Sequence, residues 1–243
     1  MMNNWYKEDL AYIHDIGFSA HAIKATTGIL EILNQYNILE GLIVELGCGS
    51  GISAQAFVNG NYQVLGIDIS ESMINIACQR VPEATFQVNS LLKADIPRCN
   101  IVVSIGECLN YLFDADNNLQ SLTHLFQRIY QALTPGGILI FDILEPEQLE
   151  TEKTQNFVEG KDWIVLVEKT EDKIKQQLTR RIITFRQFGE TYQRDEEVHN
   201  VQLYSANNLA KELRKIGFQV EVKDSYGEYK LRKNHSVIIA KKQ

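Results

Sequence analysis

The stretch that most constrains this chain runs from Ile43 to Gly51, where an apolar run meets an acid and then three alternate glycines. Its sequence is Ile-Val-Glu-Leu-Gly-Cys-Gly-Ser-Gly, and a helical pattern follows from Ile52. This order predicts a strand, a tight loop and a helix start. Glycines in such a loop permit positive φ and let a ligand approach the main chain, while the helix offers free N–H groups. The combination is typical of nucleotide sites in doubly wound α/β sheets.

The glycine spacing distinguishes two kinds of nucleotide site. The dinucleotide fingerprint is G-x-G-x-x-G and leaves room for a pyrophosphate, but this chain has G-x-G-x-G with Glu45 two residues earlier. An acid there would repel a pyrophosphate and would suit a ligand that carries an ammonium group. The motif Glu45-x-Gly47-x-Gly49-x-Gly51 resembles motif I of the class I S-adenosylmethionine-dependent methyltransferases. The resemblance implies that S-adenosyl-L-methionine binds at this loop, beside the small Cys48, with Glu45 reaching its ammonium group through water or backbone.

Composition limits the remaining classes. The 243 residues allow one large domain, or one domain with an insertion. Net charge is −7, whereas proteins that bind long nucleic acid normally carry a basic face, so no nucleic-acid partner is expected. The cysteines, 48, 78, 99 and 108, form no C-x-x-C pair, and no metal site is expected. The N-terminus has no signal-peptide pattern and no apolar run approaches membrane-spanning length, so a cytoplasmic protein without membrane contact is expected.

Strand and helix patterns alternate after the glycine loop. Apolar runs at 42–46, 64–68, 85–88, 100–105 and 138–143 predict strands, and helical spacing appears at 52–59, 71–80 and 119–133. This alternation predicts a doubly wound, mostly parallel sheet. The order "Leu-Thr-Pro-Gly-Gly, apolar strand, Asp" at 133–142 also resembles the methyltransferase family.

Side chains at the strand ends are the candidate donor contacts. Asp68 ends the second strand, 21 residues after Gly47, where an acid accepts hydrogen bonds from ribose hydroxyls. The resemblance implies that adenine lies among Ile69, Met73, Asn89, Ser90 and Leu91, with Asn89 in place of the family's usual Asp. It also places the backbone of Gly106 against the methionyl end.

The C-terminal half departs from the alternating pattern. Residues 147–203 predict a three-stranded antiparallel insertion, and strands at 218–222 and 236–240 are joined by a loop without a crossover helix. Such strands pair antiparallel, and a reversed last strand is typical of the methyltransferase sheet. We therefore expect a seven-stranded Rossmann-like α/β fold. Its core is residues 1–146 and 204–243, and 147–203 form an inserted lid like those of glycine and amino-sugar N-methyltransferases.

The N-terminal residues 5–38 have helical spacing, with Gly17 and Gly28 expected to break the run. Helices before the first strand often cover the cofactor in the family resembled. Tyr6, Tyr12 and His14 are therefore candidate lid contacts, although packing alone would also explain them.

Candidate acceptor-side residues are less determined. A hydroxyl acceptor usually needs a general base. His199 could be that base with Glu197 orienting it, since residues two apart on a strand share a face; an incidental histidine on a solvated strand is the alternative. Glu107 is a further catalytic candidate. Possible substrate contacts are Tyr12, Asn110, Tyr111, Tyr204 and Tyr226, and each would serve equally as a packing residue.

The sequence thus predicts a methyltransferase that uses S-adenosyl-L-methionine and methylates N or O of a small molecule, as a monomer or homodimer. No Asp/Asn-Pro-Pro-aromatic tetrapeptide, which in this family marks enzymes that methylate base amines, follows the fourth strand. Three alternatives stay open. They are a non-catalytic protein that binds S-adenosylmethionine, a methyltransferase for macromolecules, and an NAD(P)-dependent oxidoreductase.

Overall fold

The computed structural model of the protein describes residues 5–114 and 116–243; positions 1–4 and 115, which the expected core includes, lie outside the described residues. The helices are α1 Glu8–Gly17, α2 Ala20–Gln35, α3 Ile52–Asn59, α4 Glu71–Arg80, α5 Leu119–Ala132 and α6 Ala206–Ile216. The first strands are β1 Gly41–Leu46, β2 Tyr62–Asp68, β3 Thr85–Val88, β4 Cys99–Ser104 and β5 Leu133–Leu144. They are followed by β6 Lys153–Glu159, β7 Trp163–Asp172, β8 Gln177–Phe188, β9 Thr191–Gln202, β10 Phe218–Lys223, β11 Ser225–Tyr226, β12 Tyr229–Lys230 and β13 His235–Lys242.

The central sheet has the strand order β10-β13-β5-β4-β1-β2-β3. Strands β1 to β5 pair in parallel, and β13 runs antiparallel to both β5 and β10. The predicted fold class and the terminal antiparallel pairing are confirmed. Because β13 is reversed, its first residue, His235, lies opposite Leu144 at the end of β5. One edge of the sheet therefore carries the ends of β1–β5 together with the start of β13.

Apolar layers cover both faces of the central sheet. Phe126 of α5 and Leu209 of α6 pack with Phe141 on one face. Ile29 of α2 and Phe57 of α3 belong to the cluster on the other. Because helices cover both faces of the sheet, the ends of the strands are the place where a ligand can bind.

The N-terminal run is broken at only one of the two predicted glycines. Gly17 ends α1, as expected, but α2 continues through Gly28. A Cβ at Gly28 would overlap the backbone carbonyl of Tyr226, so this glycine permits close packing of α2 on the β11–β12 hairpin. The expectation of a break at Gly28 is wrong because glycine has a packing use inside this helix.

The insertion is a four-stranded sheet, β6-β7-β8-β9, rather than the three strands expected. The missed strand, β6, is largely exposed and lacks the alternation of a half-buried strand. The insertion contacts the main domain through the loop after β4. There the N–H of Leu112 donates to the backbone carbonyl of Asn200 (2.8 Å), and Tyr111 forms an isolated antiparallel β-bridge with Val201. No helix in the described ranges is long and apolar enough to cross a membrane.

Candidate active site

A cavity of about 470 Å³ lies along the edge formed by the strand ends. One half is lined by the loops after β1, β2 and β3, and the other by β7, β8 and the segment from β12 to β13. The N-terminal arm, residues 5–7, covers the cavity together with helices α1 and α2. The covering side chains are Tyr6, Leu10, His14, Phe18, His21 and Ala22. Its volume falls within the roughly 300–1,000 Å³ usual for small-molecule sites.

The three loop glycines have different uses. Gly49 has φ +51° and lines the cavity, and a Cβ built there finds no other described atom within 4 Å. Gly47 also lines the cavity, but a Cβ there would overlap Sγ of Cys108, so close packing requires this glycine. Gly51, with φ +77°, precedes α3 and packs against Ala77 outside the cavity lining. The open space above the backbone is therefore concentrated at Gly49.

Asp68 closes the end of β2 next to that opening. Its Oδ2 accepts the N–H of Gly49 and its Oδ1 accepts the N–H of Ser70, both at 2.9 Å. Burial raises its pKa, and the backbone donors oppose that rise. Ser70 in turn caps α4 by accepting the N–H of Met73 and donates its hydroxyl to the carbonyl of Tyr6 (2.8 Å). The acid is thus fixed in place and linked to the covering arm.

The expected adenine contacts come together around the cavity. Ile69, Met73, Asn89, Ser90 and Leu91 all line it. Ser90 donates its hydroxyl to Asp114 (2.8 Å), which also lines the cavity and which the sequence patterns did not single out. Gly106 lines the far side of this half with φ +87°, and a Cβ there also finds no other described atom within 4 Å.

Glu45 lies behind the cavity wall, so the expected link to the ligand's ammonium group could only be the indirect one, through water or backbone. Its side chain is 1% exposed, does not line the cavity, and accepts a hydrogen bond from Ser53 at the start of α3. Burial raises its pKa to about 8, although the Ser53 bond lowers it. A buried and largely neutral carboxyl has no direct path to a ligand's ammonium group. Cys48 likewise lies outside the cavity lining, 4% exposed in the core.

Comparison with known proteins is consistent with this topology and loop geometry. Residues 43–137 match a family model described as a methyltransferase domain. A putative methyltransferase of Bacillus subtilis, YqeM, is 25% identical over 192 residues, which is 74% of each chain. Residues 43–137 are therefore a methyltransferase domain of the S-adenosylmethionine-dependent type. Its cofactor is S-adenosyl-L-methionine.

Other similar proteins differ in their acceptors. A trans-aconitate 2-methyltransferase of Variovorax paradoxus is 27% identical over 119 residues, 48% of this chain and 43% of that one. A methyltransferase structure from Clostridium acetobutylicum has a TM-score of 0.81 at 20% identity, covering 96% of this chain and 97% of its own. The sugar N-methyltransferase KedS8 from Streptoalloteichus has a TM-score of 0.78 at 14% identity, covering 100% and 94%. At these identities the two structures establish a shared fold.

In this methyltransferase, the predicted pair Glu197 and His199 does meet, but away from the cavity lining. His199 is 0% exposed, and its Nε2 lies 2.8 Å from Oε2 of Glu197. Glu197 also accepts the backbone N–H groups of Tyr6 and Lys7, each at 2.8 Å. The aromatic rings of the arm and of the loop after β4 cover the imidazole. The interpretation of His199 as the base is corrected, because the arm lies between it and the cavity.

Glu107 does line the cavity, within a polar network. Its Oε1 lies 2.8 Å from Nη2 of Arg180, whose Nη1 donates to the hydroxyl of Tyr111 at 2.7 Å. The Tyr111 hydroxyl lies 3.2 Å from that of Tyr6. Burial raises the pKa of Glu107, but the charge and the hydrogen bond of Arg180, together with the charges of His235 and His21, outweigh burial and the net pKa is lowered. Glu107 is therefore an ionised partner of Arg180 rather than a free base.

His21 lines the cavity, as His14 and His235 also do, and was not singled out from the sequence. Nε2 of His21 lies 3.0 Å from Oδ2 of Asp142, and Nδ1 lies 3.1 Å from the hydroxyl of Tyr229. Asp142, at the end of β5, also accepts the N–H groups of Gly106 (2.8 Å) and Glu107 (3.1 Å) through Oδ1. Burial lowers the pKa of His21. The hydrogen bond and the charge of Asp142 together raise it by more than burial lowers it, so the net pKa is raised.

The other proposed substrate contacts have structural positions. Tyr12 donates its hydroxyl to Asp162, and Asn110 donates to two backbone carbonyls that join β5 to β9. Tyr204 and Tyr226 are buried, and none of these four lines the cavity. Tyr111 does. Three further side chains that line the cavity were missed, those of Lys169, Arg180 and Arg232. The local sequence pattern does not show that side chains from these separate segments line the same cavity.

Proposed function

We propose that this methyltransferase transfers the methyl group of S-adenosyl-L-methionine to N or O of a small molecule bound in the far half of the cavity. The observation that carries the proposal is one continuous cavity, with loop glycines and Asp68 at one end and His21, Tyr229 and Arg180 at the other. The N-terminal arm and the inserted sheet cover it, which favours a small acceptor over a long chain.

The donor half offers groups that match the cofactor. Asp68 would accept hydrogen bonds from the ribose hydroxyls, and Ile69 and Leu91 would flank the adenine. Asn89 can both accept and donate at an adenine edge. Gly49 and Gly106 leave their backbones open to the ligand. When bound, S-adenosyl-L-methionine supplies a methyl group activated by its sulfonium, which leaves as a neutral thioether.

The acceptor half can align the nucleophile and remove its proton. The side chains of this half would hold the acceptor with its lone pair directed at the methyl carbon, so that the new bond could form as the carbon–sulfur electron pair stays on sulfur. Positioning alone can contribute roughly 7–11 kcal/mol. His21 would take the acceptor's proton, directly or through the Tyr229 hydroxyl, with Asp142 fixing its orientation. This assigns to His21 the role first given to His199.

Relatives support more than one kind of acceptor. KedS8 is described as acting on a sugar nitrogen, and the Variovorax paradoxus relative on trans-aconitate. Other relatives methylate guanine N7 of 18S rRNA, so a macromolecular acceptor is the second candidate. The net charge of −7 and the covered cavity weigh against it.

The first test is calorimetric titration with S-adenosylmethionine, S-adenosylhomocysteine and NADH, followed by a methyl-transfer screen. Binding of the first two ligands without NADH, together with transfer to a small amine, hydroxyl compound or acid, supports the proposal. Transfer to RNA alone would replace the acceptor assignment. Binding without any transfer would favour a non-catalytic protein.

A further inference from the structure

The far half of the cavity has an unusual balance of charge. Lys169, Arg180 and Arg232 line it, and among residues 5–114 and 116–243 the carboxylate that lines that half is Glu107. Glu107 is paired with Arg180. Within the described ranges no carboxylate oxygen lies within 4 Å of Lys169 Nζ or of the Arg232 guanidinium. The half-buried Lys169 and the solvent-exposed Arg232 therefore face a shared space without a carboxylate partner, in a chain whose net charge is −7.

The register of the inserted sheet accounts for this arrangement. Lys169 on β7 lies directly opposite Arg180 on β8, and like charges placed opposite one another are destabilising. Val165 and Val167 on β7 and Ile182 on β8 line the cavity on the same face, so the cations stand at the end of an apolar wall. Arg232 approaches from the segment between β12 and β13, beside Leu231.

Keeping these cations together has an electrostatic cost. Lys169 is half-buried, and its pKa is lowered first by burial and then by the charge of Arg180, with Arg232 acting in the same direction. The nearby charge of Glu107 opposes the shift without reversing it. An anion placed among these side chains would relieve the repulsion and provide charge-assisted hydrogen bonds.

We infer that the acceptor is a small organic anion whose acidic group is held by Lys169 and Arg232 while its apolar body rests on Val167, Ile182 and Leu231. The inference rests on the proposed function and narrows its substrate class. Lysine supplies a point charge from the inserted sheet, and arginine supplies a fork that fits a carboxylate or phosphate. The bound anion would therefore connect the inserted sheet to the β12–β13 segment.

The test uses binding rather than turnover, so that an unidentified natural acceptor does not limit it. The full chain, saturated with S-adenosylhomocysteine, is titrated by calorimetry with benzoate, salicylate, succinate and glycerol 3-phosphate. Benzamide, salicylamide and succinamide serve as uncharged analogues. The variants are Lys169→Met, Lys169→Arg and Arg232→Gln, with exposed Lys161→Met as the matched control.

We expect at least one anion to bind more tightly than its amide. Lys169→Met and Arg232→Gln should each weaken that binding about tenfold or more, as for a lost hydrogen bond between charged groups. Lys169→Arg should retain most of the affinity, and Lys161→Met all of it. The relative affinities of the carboxylates and the phosphate ester identify the acidic group.

Two results would overturn the inference. One is that no anion binds better than its uncharged analogue, and the other is that both charge-removing variants bind the anion as the unmodified protein does. S-Adenosylhomocysteine binding, measured first in every variant, separates this failure from failure of the proposed function. If the unmodified protein does not bind S-adenosylhomocysteine, the donor site itself is refuted.

Discussion

Nε2 of His21 lies 3.0 Å from Oδ2 of Asp142, although the two residues are 121 positions apart in the chain. Asp142 also holds the backbone of Gly106 and Glu107, so one carboxylate connects the α2 imidazole to the loop between the two halves of the cavity. Asp142 and Tyr229 contact His21, the ring of Tyr226 meets it edge-on, and the charges of Glu107 and Arg232 also act on its pKa. The same carboxylate thus orients the proposed base and fixes the loop after β4. Proton removal and the position of that loop are therefore linked through Asp142.

Replacing His21 tests this role. For an acceptor whose nucleophile must lose a proton, His21→Ala should lower kcat by about 10²–10⁴-fold, while the affinity for S-adenosylhomocysteine is unchanged. The measurement is single-turnover methyl transfer as a function of pH. Activity should rise with pH through a pKa above the usual histidine value, because the base acts when deprotonated. Exposed His124→Ala is the control, and unaltered turnover in His21→Ala would remove the assignment.

Asp68 should control donor affinity. Asp68→Asn removes the charge that accepts from Gly49 and Ser70 and would accept from ribose, so S-adenosylhomocysteine should bind about tenfold or more weakly. Calorimetry measures the dissociation constant, and circular dichroism checks that the variant is folded. Exposed Asp95→Asn should behave as the unmodified protein. A folded Asp68→Asn variant with full affinity would exclude ribose recognition at this carboxylate.

Glu45 should make stability fall as pH rises. Its pKa is about 8 in the folded chain and near 4.5 in an ordinary setting, so the folded state binds the extra proton between these values. The stabilisation that comes from keeping this carboxyl neutral is fully present below about pH 4.5. It is lost from the free energy of unfolding as pH rises to about 8. At about 1.4 kcal/mol per pKa unit, the change is on the order of a few kcal/mol.

Urea unfolding at pH 5 and pH 8 measures this change. In Glu45→Gln the loss of unfolding free energy between the two pH values should be smaller than in the unmodified protein by that amount. Exposed Glu40→Gln should keep the original difference. Equal pH dependence in Glu45→Gln and the unmodified chain would mean that Glu45 is ionised in the folded state.

The Glu197 carboxylate should hold the N-terminal arm closed. Glu197→Gln removes the charge that accepts the N–H groups of Tyr6 and Lys7. The arm should then exchange amide hydrogens faster, and S-adenosylhomocysteine should dissociate several-fold faster. Hydrogen exchange of residues 5–17 and stopped-flow dissociation are the measurements. Glu190→Gln, exposed on the β8–β9 turn, is the control, and a protected arm in Glu197→Gln would contradict the clamp.

The side chains of the proposed donor half could be placed in the fold from sequence because their signals are local. The expected bounds of α3, α4 and β3 agree with the structure, and Asp68 and residues 89–91 follow directly from where strands end. Spacing within about 50 residues is enough to place these groups, since parallel strands carry their carboxyl ends to one edge.

The acceptor half was not readable in the same way. His21 meets Asp142, and Lys169 meets Arg180, only after a helix, an inserted sheet and a hairpin have been packed together. The pairing of Glu197 with His199 was foreseen from strand periodicity, but the arm that covers them was not. Periodicity identifies which side chains share a face and does not reveal what lies against that face.

The division of the cavity between chain segments has a consequence for how such an enzyme could diversify. The loops that we propose to bind the donor all lie within the residues that match the methyltransferase domain, 43–137, whereas Lys169, Arg180, Tyr229 and Arg232 lie outside it. With the acceptor site proposed above, replacing the inserted sheet and the β12–β13 segment would change the compound that is methylated while the source of the methyl group stayed the same. The two segments are natural units for exchanging specificity between related enzymes.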